Sequence, residues 1–126
     1  MIPRFEGAVE VKLIDEERNL WQLLADLVFW SAIFGAAILV PKGFITDFAS
    51  VPRMPILFWL AGDKARAAAI IHDYLYWSGL VDRATADRIF REAMQVSGVP
   101  AWRRWGMWAG VRSGGWVAWN RYRGAE

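Results

Sequence analysis

A change of pattern at Asp63 restricts what this chain can fold into more than any other feature. Before it, β-branched and aromatic residues come in short runs separated by turn formers; after it, the sequence is alanine-rich and punctuated by helix start and stop signals. FEGAVEVKLI (5–14) alternates in part and reads as a strand, DEERN as the turn after it, and AAILV (36–40) as a short buried strand stopped by Pro41. WQLLADLVFWS (21–31) fits helix or strand, with Val28, Phe29 and Trp30 favouring strand. GFITDF (43–48) returns as a short strand, and the two prolines of SVPRMP (50–55) require a loop. Beyond Asp63, a plausible N-cap, KARAAAIIHDYLYW favours helix and Gly79 ends it. Asp82 or Thr85 caps a second helix through Val96, closed by Gly98 and Pro100. A third helix is expected from Trp102 to about Trp119, with Gly106, Gly110 and Gly114 on a face that either packs tightly or meets a partner. The expected class is α+β: a small N-terminal antiparallel β-sheet followed by three packed helices, two of them an antiparallel pair.

With 126 residues, residues 1–126 are expected to form a single domain, and 56% hydrophobic residues argue against disorder. The chain has no cysteine, which excludes a disulfide framework and thiolate metal sites. MIPRFEGAVEVKL lacks the order of a signal peptide, and the 14-residue apolar run Leu27–Val40 is too short to cross a bilayer, so no transmembrane helix is expected. Charge is uneven. Residues 1–100 carry 10 basic against 12 acidic groups, whereas 101–126 carry Arg103, Arg104, Arg112, Arg121 and Arg123 against Glu126. Five of the nine tryptophans lie in that basic segment, Trp102, Trp105, Trp116 and Trp119 among them, and interfaces favour both tryptophan and arginine. This Trp/Arg-rich helix is expected to contact a partner: another copy of the chain, other proteins or membrane lipid. Nucleic acid is not expected, because clustered lysine and a recognisable module are missing.

The only histidine, His72, is directly followed by Asp73 on the first helix. Histidine titrates near neutrality and is the natural proton-transfer group. Ala69, His72 and Tyr76 share a helical face. The short SGLVDRAT connection folds the second helix back so that Asp87 approaches His72 and Arg83 approaches Tyr76. There Asp87 either fixes the imidazole tautomer, as carboxylates do in catalytic dyads and triads, or stays exposed and pairs with Arg91. Asp47, set among Phe44, Ile45, Phe48 and Ala49, requires a partner. It either caps its turn with Ser50, pairs with Arg53, or joins Asp73 in holding one hard cation such as calcium; zinc is a poor match for one histidine and no cysteine.

The succession VPKGFITDFASVPR, AIIHDYLY, RATADRIFREAM and GVRSGGWVAW resembles a phage-associated family, domain of unknown function 1353, from about Trp21 to Trp119. That resemblance implies a tailed-phage or prophage setting, hence the host cytoplasm during phage replication and the virion. HDYLY followed by an arginine and AD-x-x-F is similar to the helix pair of the bacterial phospholipase A2 superfamily, and TDFAS looks like the loop that supplies calcium ligands there. Carried over, His72 activates water, Asp87 orients His72, Tyr76 bonds near that carboxylate, and Asp47 and Asp73 bind calcium. Three departures stand against this likeness: no disulfides, no glycine-rich calcium loop, and the apolar PILFWLAG between loop and helix. The two functions to weigh are a calcium-dependent lipid ester hydrolase, with PILFWL and the Trp/Arg tail facing lipid, and a non-enzymatic virion (tail) or assembly protein in which the His/Asp motifs are structural.

Overall fold

The computed structural model describes residues 1–48 and 62–124. The SVPRMP loop, Ser50, Arg53 and the PILFWL stretch therefore lie outside the described residues. The first part of the chain forms six short strands: β1 (Arg4–Glu6), β2 (Val11–Asp15), β3 (Leu20–Leu23), β4 (Leu27–Ser31), β5 (Ala36–Val40) and β6 (Ile45–Thr46). They pair antiparallel in two three-stranded sheets, ordered β1-β4-β5 and β2-β3-β6. The expected single strand over 5–14 is thus two strands in different sheets, broken at Gly7, which takes a φ of 82° that only glycine adopts readily. WQLLADLVFWS is likewise two strands, β3 and β4, parted at Asp26, whose carboxylate accepts the Lys42 N–H at 2.7 Å.

Alternation decides which face is covered. In β4 Leu27, Phe29 and Ser31 are buried while Val28 and Trp30 are half-buried, and in β5 Ile38 and Val40 point the same way. That face meets the helices. A 3-10 turn, Gly62–Ala65, leads into α1 (Arg66–Ser78), followed by α2 (Arg83–Val96), α3 (Ala101–Gly114) and α4 (Trp116–Tyr122). α1 touches β5 and β6, and α2 touches β1 and β4. The class is α+β, as the pattern change at Asp63 implies.

The helix boundaries depart from expectation in two places. Asp63 does not cap α1: it falls within the 3-10 turn, and Ala65 occupies the N-cap position. The third helix is interrupted, α4 starting anew after Gly115. A Cβ on Gly115 would lie 2.5 Å from the Tyr76 hydroxyl and 2.5 Å from the Val111 carbonyl oxygen. Gly115 is therefore a point of close approach between the C-terminal helices and α1. Gly106 and Gly114, expected on the tight face, would meet nothing within 4 Å. By contrast Gly79 ends α1 as expected, with φ 65° and its N–H on the Leu75 carbonyl, and Asp82 stands at the N-cap position of α2.

α1 is the centre of the molecule. Ala68, Ala69, Ile70, Ile71, His72, Asp73, Leu75 and Tyr76 are all buried, nearly the whole circumference of its middle turns. A helix buried on all sides normally carries no ionisable group, because removing a charge from water costs several kcal/mol or more unless it is paired. α1 buries His72 and Asp73 there, and Tyr76 one turn on.

Candidate active site

His72 and Asp87 face each other across the α1/α2 contact. The His72 Nε2 lies 2.7 Å from Asp87 Oδ1, and both side chains are fully buried. The Tyr76 hydroxyl donates to the same oxygen at 2.6 Å. One helical turn further along each helix, Tyr76 meets Arg83. The two pairings, 72 with 87 and 76 with 83, run in opposite directions along the two helices, so α1 and α2 are antiparallel.

Asp87 is the hub. Its second oxygen accepts Arg112 Nη1 at 2.8 Å and lies 3.6 Å from Arg83 Nη1. Arg83 in turn donates to the Val111 and Arg112 carbonyls at 3.0 and 3.2 Å, fastening the end of α3. Arg91 is not the partner of Asp87: its guanidinium stacks over Trp105 and Trp108, so the exposed Asp87–Arg91 pair weighed from helical spacing is overturned. Arg91 lies about 400° round from Asp87, only 40° off, but the carboxylate is drawn inward by three hydrogen-bond partners and the Arg83 charge while Arg91 is held by the indoles.

These contacts set the protonation states. Burial opposes the charge on Asp87, yet bonds from His72, Tyr76 and Arg112 outweigh it and hold the carboxyl below its usual range. Burial is also the dominant influence on His72 and pushes it below 6.5, against the pull of Asp87 and Asp73. Tyr76 is pushed well up by burial and by Asp87, so it stays a donor. With Asp87 ionised and His72 neutral, the imidazole proton sits on Nε2 facing the carboxylate, which leaves the basic lone pair on Nδ1. The ring is further fixed by Tyr76 and Phe90, whose centroids are 4.2 and 4.7 Å away. An oriented neutral imidazole with its far nitrogen basic is the arrangement a general base requires.

Asp73 and Asp47 come together at a different residue, Tyr122 of α4. Its hydroxyl donates to Asp73 Oδ1 at 3.2 Å, and its acidity is suppressed first by burial and then by the charges of Asp73 and Asp47. Asp73 is buried and its charge also acts on His72, so Asp73 adjoins the dyad. Thr46, buried beside Asp47, accepts the Phe48 N–H at 3.0 Å, and Phe48 takes a positive φ of 58°, a conformation that non-glycine residues adopt sparingly. Among the described residues no group of three or more His, Asp or Glu is gathered as a metal site. Asp47 and Asp73 are nevertheless hard oxygen donors. Such a pair suits a cation that completes its shell with backbone carbonyls and water, as calcium does, and does not suit zinc.

The chain matches the family described as a protein of unknown function, DUF1353, over residues 21–111. The chain belongs to this family. No curated protein and no solved structure matches it. In this DUF1353 protein the matched residues include Asp47, His72, Asp73, Tyr76, Arg83 and Asp87, while Tyr122 and Arg112 fall just beyond.

Arg112 and Tyr122 are also the two site residues that sequence reasoning passed over. Both belong to the basic, aromatic C-terminal segment, where one arginine or tyrosine looks like any other. Arg112 lies in GVRSGGWVAW, so that motif was its only signal. Of the C-terminal tryptophans, Trp102, Trp105 and Trp116 are exposed at 67%, 49% and 54%, whereas Trp119 packs on Tyr76 with ring centroids 5.2 Å apart. No helix among the described residues is long and apolar enough to cross a membrane.

Proposed function

We propose that the protein is a calcium-dependent ester hydrolase of phospholipase A2-like type, encoded by a phage or prophage, with His72 as general base. The observation that carries this reading is the 2.7 Å contact between His72 Nε2 and a buried Asp87 whose charge is secured by Tyr76 and Arg112. Asp87 holds the neutral tautomer and stabilises the imidazolium formed when Nδ1 takes a proton from water. The freed hydroxide attacks an ester carbonyl, and the same proton then passes to the departing alkoxide. Asp73 and Asp47 would hold calcium; when bound, it supplies polarisation of the carbonyl and stabilisation of the oxyanion. Because His72 has no exposed surface, substrate reaches it only when a neighbouring segment moves aside. The exposed indoles of Trp102, Trp105 and Trp116 suit the membrane–water interface, where an apolar ring and a polar N–H are both accommodated.

A second reading is supported by the same burial. Asp87 links α1, α2 and α3 through His72, Tyr76, Arg83 and Arg112, so the network also serves as an internal strut of a virion or assembly protein. Vesicle hydrolysis with calcium or chelator separates the two: the hydrolase releases fatty acid only with calcium and loses this in His72→Ala. The strut protein releases none and is stabilised by neither condition.

A further inference from the structure

α2 directs Asp87 inward and turns a different face towards the N-terminal segment and the β4–β5 turn. Along that face Arg88, Arg91 and Gln95 line a cleft of about 490 Å³, with Ile2, Ile33 and Val96 among its apolar lining. The volume is within the range of small-molecule sites. The acidic residue in the cleft, Glu92, is already committed. Its carboxylate accepts the Ser31 hydroxyl at 2.6 Å and the Ala32 and Ile33 N–H groups at 3.0 and 3.2 Å. Among the described residues, neither Arg88 nor Arg91 lies within ion-pair distance of a carboxylate.

Arg91 is also held in position. Its guanidinium carbon lies 4.0 Å from the Trp105 ring centroid and 5.0 Å from that of Trp108. Stacking on indole faces uses the flat of the guanidinium and leaves the in-plane N–H donors available for an oxyanion. Partial burial, and after it the nearby charges of Arg88 and Arg104, lower the Arg91 pKa.

We propose that this cleft binds a small amphiphilic oxyanion, a phosphate or carboxylate head on a short alkyl tail, with the head on Arg88 and Arg91 and the tail along Ile2, Ile33 and Val96. Two guanidiniums can grip either head in bidentate fashion, and the apolar wall distinguishes an amphiphile from a bare ion. The site is separate from the His72–Asp87 dyad, and its readout is binding alone.

The test is an NMR titration of isotope-labelled protein with octyl phosphate and with octanoate, below their micelle concentrations, following arginine Nε–H signals and the amides of Ile33 and Val96. The expected result is saturable one-to-one binding of at least one of them. Octyl glucoside and inorganic phosphate should each bind at least tenfold more weakly, the first lacking the charge and the second the tail. Arg88→Gln should weaken binding at least tenfold. Arg91→Lys keeps the charge and should weaken it similarly, because a lysine cannot both stack and offer a bidentate edge. Equal binding of octyl glucoside, equal binding of inorganic phosphate, no saturable shift with either anion, or indifference to both arginine variants would each overturn the assignment.

Discussion

Replacing Asp87 with asparagine removes one charge and almost no volume, so it isolates what the buried carboxylate contributes. Asp87 accepts from His72, Tyr76 and Arg112 at 2.7, 2.6 and 2.8 Å. A hydrogen bond to a charged group contributes about 1.5–3 kcal/mol and a neutral one about 1 kcal/mol, so each bond weakens by roughly 1 kcal/mol. The Arg112 side chain is 33% exposed, and solvent screening puts its share at the low end. The three bonds together give a loss of about 3 kcal/mol, which at this chain length lowers the melting temperature by about 10 °C. A domain stable by about 5–15 kcal/mol remains folded after such a loss. Asp87→Ala, which leaves both arginines and the imidazole without their acceptor, should lose about 4–5 kcal/mol. The assay is urea unfolding followed by tryptophan fluorescence, with proton NMR of the single histidine alongside. In Asp87→Asn the His72 pKa should fall further, since Asp87 is one of the groups that raise it. An Asp87→Asn protein as stable as the parent to within about 0.5 kcal/mol would refute the hub role, because no well-made set of charge-assisted bonds is that weak.

Other expectations follow from the same geometry. His72 is held below 6.5 in the folded state, so its contribution is complete above that value and is lost as pH falls through the folded pKa; stability should decline below pH 6.5, and in His72→Gln this decline should be absent. Asp87, held below 3.8, contributes above that value and adds a second loss only in stronger acid. Gly115→Ala drives a methyl against the Tyr76 hydroxyl and should destabilise by about 1–3 kcal/mol, whereas Gly106→Ala meets nothing and should stabilise α3 by about 0.5–1 kcal/mol; thermal melts of the two separate these signs. Glu92→Gln leaves the Ser31 hydroxyl and two N–H groups with a weaker acceptor, and should show faster amide exchange at Ala32 and Ile33 with a loss of about 1–2 kcal/mol.

How far the sequence discloses this protein depends on the range of the contacts. Local signals are readable: Gly79 stops α1, Asp82 stands at the head of α2, and the short connection between them brings Asp87 to His72. The dyad was legible because its members are 15 residues apart on helices whose register is fixed by one turn. The division of strands into two sheets was not, since Gly7 and Asp26 act as breaks only through pairings made elsewhere in the chain. Glycine spacing in α3 misled for a related reason: a four-residue repeat says that an approach is possible, and Gly115 shows where it occurs. Arg112, Tyr122 and Glu92 meet their partners 25, 49 and 61 residues away, at distances along the chain over which no local pattern operates.

The role given to His72 is tested most directly by incubating purified protein with labelled phospholipid vesicles, in calcium and in chelator, alongside His72→Ala. Activation by an oriented base and polarisation of the ester each contribute orders of magnitude, about 10²–10⁴-fold for the base alone. The expected result is fatty acid release in calcium, absent in chelator, and reduced at least a hundredfold in His72→Ala while the variant remains folded. Release that is unchanged in His72→Ala, or no release above its background in either condition, would contradict a catalytic His72 and leave the His72–Asp87 network as an internal strut.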